Sequence, residues 1–400
     1  MTRRIFFIGL VAAIVQLVAT WSVPAFSSTG ATARTNFSAQ SEAPRPPGQW
    51  SMFMNGPLRQ GRTPIVGAQS SNLAWRISTE TNGGGPAVGR DGTIYQGTDL
   101  GQLLALNPDG SLKWTVSSPY RMNSTPAILL DGRIVFADEG GNVYVANPDG
   151  SLSWQFQTGT ACGCTMNPAI GRDGTIYIGI WNTVYAFYPD GSIRWTYSLR
   201  RRTLSGDVAV KPDGTVYCTS GRLFALDANG TLLWKAPVPI GGLGGAPAVA
   251  PDGTIYVNST DATFYAFNPD GTVKWSYGGG ACCIDVPSSP AIGRDGSVYV
   301  GEELFSGGAT WAFAPDGTLK WQADNGDVPT AVSIGGDGTI YFGATSSPGN
   351  GGVWALNPDG TLKWEYDDPG GAYVRTAPAI ASGQRIYAGS LTGFFAIGPA

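Results

Sequence analysis

A phrase of eight residues recurs seven times along this chain: NPDGSLKW (107–114), NPDGSLSW (147–154), YPDGSIRW (188–195), DANGTLLW (227–234), NPDGTVKW (268–275), APDGTLKW (314–321) and NPDGTLKW (357–364). A shorter relative, NLAWRIS (72–78), carries the same Trp at 75. From Trp75 to Trp364 the spacing averages about 41 residues, a period that belongs to a β-propeller or a solenoid. A second unit precedes each phrase, as in PAVGRDGTIYQG (86–97), PAIGRDGTIYIG (168–179) and PAIASGQRIYAG (378–389).

Each period holds four short apolar runs; in the third they are Ala169-Ile170, Thr175–Ile178, Val184–Phe187 and Ile193–Tyr197. RDG joins the first two and PDG the last two. Pro presets φ in a turn, Asp tolerates the next position, and Gly takes the left-handed conformation that closes a bulged hairpin. Four antiparallel strands per period make one propeller blade. In TLKWEY (361–366), strict alternation predicts that Leu362, Trp364 and Tyr366 share one face, with Lys363 and Glu365 on the other. The tryptophans are read as packing between strands, not as ligands.

Seven periods are complete. The eighth ends after its third strand, in FFAIGPA (394–400), and NLAWRIS supplies the missing fourth. The fold expected is therefore all-β: an eight-bladed β-propeller of four-stranded antiparallel blades, closed by an N-terminal strand that completes the last blade and hides its edge.

Gly 58 and Pro 28 suit a chain of many tight turns, and 42% hydrophobic residues are enough for a large core. The opening MTRRIFFIGLVAAIVQLVATWSVPAFSS reads as a signal peptide over residues 1–25, cut before Phe26; an uncleaved anchor is the alternative. Residues 26–49 read as a flexible leader and 50–400 as a single propeller domain. Loss of Arg3 and Arg4 with the signal takes the net charge of −4 to about −6. So acidic and sparsely charged a chain is a poor nucleic-acid binder. The mature protein is expected to be secreted or periplasmic, off the membrane once the signal is cut, and a monomer.

The Trp-terminated phrase, the run of aromatic-Ala-Leu/Phe before PDG, and WSMFMNGPLRQGRT (50–63) together resemble the bacterial pyrroloquinoline-quinone-like (PQQ-like) propellers over about residues 50–400. That superfamily includes quinone-dependent alcohol dehydrogenases, a lipoprotein of the outer-membrane barrel-assembly machine, and exported proteins of unknown role. The WD-repeat fold is disfavoured because a chain without His lacks that repeat's Gly-His element.

In a four-stranded meander both Asp-Gly turns fall at one end of the ring, and the variable connections fall at the other. Rigid scaffolds carry binding groups on such variable loops. Without His there is no Ser-His-Asp triad and no imidazole ligation, leaving carboxylates, Tyr, Lys and Cys for acid–base work. TACGCT (160–165) and GACCID (280–285) place Cys162, Cys164, Cys282 and Cys283 in two inter-blade loops. Disulfides within each pair, a bridge between the loops, and a soft-metal site are all compatible with the spacing. The resemblance implies a cofactor-adjacent vicinal disulfide for Cys282 and Cys283, although in the dehydrogenases that pair lies early in the chain. Cys218 reads as a small buried hydrophobe.

Arg200, Arg201 and Arg202 form the one basic cluster, and Arg121 and Arg375 lie in equivalent loops. Such a set could hold the carboxylates of PQQ, and a solvated charged loop is the plainer reading. Asp285, Glu302, Glu303, Asp324 and Asp327 offer carboxylates, but no spacing among them resembles a calcium loop, and no metal site is assigned. The function expected is a non-enzymatic platform that presents its variable face to a protein, glycan or small ligand. A PQQ- and calcium-dependent dehydrogenase is one alternative. An envelope assembly scaffold is the other, without the lipid-attachment Cys, since no Cys precedes Cys162.

Overall fold

The structure is a computed structural model. It describes residues 48–399 apart from 82–83, 160–165, 200–202, 205, 238–244, 260–262, 279–287, 305–306, 325–329 and 345–350, and apart from the side chains of 302–304 and 307. The chain divides into Met1–Glu42 and Ala43–Ala400, and every described residue belongs to the second unit.

Eight antiparallel sheets follow one another around a ring, each with an inner, second, third and outer strand. Blade 3 is representative: Ala169–Ile170, Ile176–Ile180, Thr183–Phe187 and Ile193–Ser198. Second and third strands are buried on both faces because neighbouring blades stack against them; outer strands alternate with solvent. The apolar clusters accordingly lie between blades, as where Ile170, Ile176 and Phe187 of blade 3 meet Val135 and Val143 of blade 2.

Closure follows the expected route. Leu73–Ile77 pairs antiparallel with Phe394–Ile397, so strands from the two ends of the ring complete blade 8.

The recurring phrase proves to be half of a clasp. Each outer-strand Trp donates its indole N–H to the turn of the next blade: Trp75 to the Pro108 carbonyl at 2.8 Å, Trp114 to Pro148 at 2.9 Å, Trp234 to Pro269 at 3.0 Å. The ring then covers that turn's Gly. A Cβ on Gly110 would lie 2.7 Å from the Trp75 ring, and one on Gly271 would lie 2.5 Å from Trp234. Glycine is thus required twice, by its positive φ and by the indole above it. At the seam, where the chain ends interrupt the pattern, Trp364 donates instead to the Ala68 carbonyl at 3.1 Å.

One expected alternation fails. Every phrase-bearing outer strand contains a bulge between its first residue and the Trp; in blade 7 Leu356 pairs with Leu362 while Ala355 pairs with Trp364. Trp364 and Tyr366 are buried, but Leu362 is 52% exposed. The extra residue, Lys363, uses the bulge to reach Asp337 and Thr339 in the first turn of its own blade.

Candidate functional site

Residues 48–68 precede the latch strand; the chain occupies the axis of the ring as far as Thr63 and then runs outward along blade 7 to Ala68 beside Trp364. Gly48–Trp50 adds a fifth strand inside blade 1, pairing Trp50 with Val88. The chain then visits the inner strands in turn. Ser51 accepts from the Ile128 N–H of blade 2, Pro57 from Val210 of blade 4 and Leu58 from Val249 of blade 5; Gln60 accepts from Ile292 of blade 6 and Gly61 from Ile334 of blade 7. Gln49 accepts from the Ser382 N–H of blade 8. An inner strand would otherwise show unpaired backbone to the axis, and this strap satisfies it from within.

So tight a path demands unusual backbone. Met54, Asn55 and Arg59 lie in the left-handed region at φ 54°, 48° and 54°. Gly61 has no room for a side chain: a Cβ would meet the Val332 carbonyl at 2.7 Å. Trp50, Met52 and Met54 are sealed from solvent.

Arg59 is the polar centre of the strap and is fully buried. Its guanidinium donates to the Val208 carbonyl at 3.0 Å, Phe53 at 2.8 Å, Asn167 at 2.8 Å and Pro168 at 3.2 Å, which ties in blade 3. Burial pulls its pKa down to about 10, against the attraction of Asp207, so it stays charged at neutral pH. Asp207 accepts from the Asn167 backbone and side-chain amides, both at 2.6 Å. Burial raises the Asp207 carboxyl, opposed by Arg59 and by the Asn167 bonds.

The same register runs on around the axis. Thr125 N–H donates to Asn167 Oδ1 at 2.5 Å, Gly85 N–H to Thr125 Oγ1 at 2.8 Å, and Ala246 N–H to Ser289 Oγ at 2.9 Å. Each bond joins the residue ahead of one inner strand to its counterpart in the next blade. Donors and acceptors here are engaged with one another, which suits cohesion rather than proton transfer.

None of the expected site residues belongs to the strap. Cys162, Cys164, Cys282, Cys283, Arg200, Arg201 and Arg202 fall outside the described residues, as do Asp285 and Asp327; Glu302 and Glu303 are described only in their backbone. Arg375 is exposed, with its guanidinium 5.5 Å from the Tyr373 ring centre. Arg121 is exposed in the loop between blades 1 and 2, and Asp324 accepts from Gln322 at 2.6 Å. Cys218 is fully buried, and burial pushes its thiol up to about 12. Among the described residues no three Cys, Asp or Glu come together as a metal site would need. The axis beside the inner strands is filled by the strap. Among the described residues no donor set for a calcium–quinone centre is assembled.

Sequence reasoning missed the strap. WSMFMNGPLRQGRT supported the resemblance without being placed. Its one signal is a pair of arginines, Arg59 and Arg62, set among apolar residues and glycines with neither strand nor helix period.

Fold and axis define an eight-bladed propeller whose centre is closed by its own N-terminal strap. The family model of the outer membrane protein assembly factor BamB matches residues 61–179 and 181–347, and the chain belongs to that family. This agrees with the PQQ-like resemblance drawn from the phrases. The chain is similar in structure to BamB from Moraxella catarrhalis, with TM-score 0.55 and 18% identity, over 71% of this chain and 83% of that one. A europium-containing methanol dehydrogenase matches with TM-score 0.67 and 13% identity, over 87% and 90%. The C-terminal WD40 domain of Sif2 matches with TM-score 0.66 and 14% identity, over 84% and 99%. At these identities the likeness is one of fold. No curated protein matches the sequence.

Proposed function

We propose that this protein is an exported, non-catalytic platform of the bacterial envelope. In this reading it serves assembly, as the name of its family indicates, and engages a protein partner through the loop end of the ring. The observation that carries the reading is the strap, which fills the axial space beside the inner strands with backbone and a committed Arg59. What remains for recognition is surface held by a rigid scaffold. Among the described residues, three large apolar side chains stand exposed at the loop end: Leu100 at 64%, Tyr120 at 44% and Trp181 at 47%. Aromatic groups of this kind anchor protein interfaces.

The test is site-specific photocrosslinking in the native host. A crosslinker at Leu100, Tyr120 or Trp181 is expected to capture one envelope protein, while one at Leu130 or Asp149, at the Asp-Gly end, captures none. Equal capture from both ends, or none from either, would overturn the proposal. In parallel, titration with PQQ and calcium is expected to show no saturable binding; tight binding with dye-linked alcohol oxidation would favour a dehydrogenase instead.

A further inference from the structure

We propose that a groove between blades 3 and 4, at the Asp-Gly end, binds a small organic carboxylate of sugar size. This rests on a feature separate from the loop end. The cavity measures about 340 Å³ and is lined by Arg172, Asp173, Arg194, Lys211, Asp213 and Ala228, with Tyr177 and Pro212 beside them. That volume is at the small end of the range for ligand pockets.

Two independent observations meet here. The first is the recurring phrase itself, which departs from its pattern in blade 4. Six phrases have Pro after their first residue, at 108, 148, 189, 269, 315 and 358, and each Pro ring covers the Gly of the first turn in its own blade. For Gly92 and Pro108 a Cβ would be 3.0 Å from the ring, and for Gly253 and Pro269 it would be 2.9 Å. Blade 4 has Ala228 instead: its methyl lies close over Gly214, where an added Cβ would meet it at 2.7 Å, but the outer atoms of a Pro ring are missing from the groove. The following Asp, present in those same six phrases, is Asn229 here, so a carboxylate is also missing from the rim.

The second observation is the charge of the walls. Arg194 is held by Asp173 at 2.6 Å and Thr175 at 2.8 Å, with its guanidinium 5.7 Å from the Tyr188 ring centre. Lys211 pairs with Asp213 at 2.9 Å. Each of these carboxylates also accepts a backbone N–H of its turn, from Thr175 at 3.1 Å and Thr215 at 2.9 Å. The two acids are thereby engaged, each with a cation of the same wall. Arg172 is the third cation. It is exposed on the rim and makes no ion pair among the described residues. A carboxylate entering the groove would meet this guanidinium, whose paired N–H groups match it bidentately. The remainder of a compact ligand would lie against Pro212, Ala228 and the edge of Tyr177.

The experiment uses the mature protein, with glucuronate as probe and glucose as its uncharged control, read by calorimetry and by ligand-observed NMR. Saturable binding of glucuronate and none of glucose is expected. Arg172→Glu should weaken it at least about tenfold. The double variant Ala228→Pro/Asn229→Asp rewrites blade 4 to the phrase of its neighbours; it should fill the groove and abolish binding while the protein melts as before. Neither change touches a buried hydrogen bond, and Ala228 lends only its carbonyl, to Trp195 at 2.9 Å. Absence of saturable glucuronate binding, equal binding of glucose, or affinity unchanged in both variants would each overturn the proposal.

Discussion

Replacing Gly271 by Ala tests whether the clasp between blades is as tight as its geometry indicates. Gly271 has φ +85°, and the added Cβ would lie 2.5 Å from Cε3 of Trp234. The left-handed backbone alone costs an L-residue about 1–2 kcal/mol. Displacing the packed indole adds about 1–3 kcal/mol, as overpacking does in a close-packed site. The expected loss is therefore about 2–5 kcal/mol. Gly383 supplies the control: its φ is +77°, and a Cβ there meets nothing within 4 Å, so Gly383→Ala should cost only the backbone term of about 1–2 kcal/mol. Both variants are unfolded in urea and followed by Trp fluorescence, with midpoints compared at equal slope. In a Trp234→Ala background the steric part should vanish and the two glycine changes should cost the same. Equal costs in the native background, or no relief on removing Trp234, would refute the clasp.

Further expectations follow from the axis, the seam and the turns. Arg59→Met removes the donor to four buried carbonyls and leaves Asp207 without its cation; a loss of about 3–5 kcal/mol is expected in the same urea assay. Trp364→Phe keeps most of the packing but drops the bond to Ala68, and should cost about 1 kcal/mol without changing the urea slope. Deleting residues up to 66 while keeping the latch strand should abolish cooperative melting; unchanged melting would show that the latch alone closes the ring. Asp109, Asp149, Asp190, Asp270 and Asp359 are held below their usual 3.8, first by the Ser or Thr hydroxyl two residues on and then by its N–H. A depressed folded value means that their contribution is present above pH 3.8 and is lost as the pH falls through the lower folded values. Carboxylate NMR titration of Thr272→Val should show Asp270 moving back up.

The strands, both turn types and the latch were legible because each is written in local chemistry and repeated. Period-two apolar runs, Pro for φ and Gly for the left-handed position need no knowledge of the neighbouring blade. The tryptophans were legible as packing but not in their partner, since the Pro108 carbonyl that receives the Trp75 indole belongs to the next blade. Leu362 was misplaced because strict alternation cannot register a bulge, and the bulge exists to aim Lys363 at Asp337. The strap left almost no trace for a different reason. It binds through its own carbonyls, at Ser51, Pro57, Leu58, Gln60 and Gly61, and a backbone acceptor is the same at every residue. Only Arg59 and Arg62 mark the place, and two arginines three apart have many readings. As for the candidate site, the four loop cysteines and Arg200–Arg202 lie outside the described residues, whereas the blade 4 exception was visible in DANGTLLW and acquired meaning only beside its cavity.

The strap also gives the molecule a handle with a direction. Gly48 sits opposite Gly89, and Gln49 reaches Ser382, both at the Asp-Gly end of the ring. The strap therefore enters the ring from that end. Tethering at that end of the ring would then favour capture of a loop-end partner, while the groove between blades 3 and 4 would face the support and be better assayed with the protein free in solution.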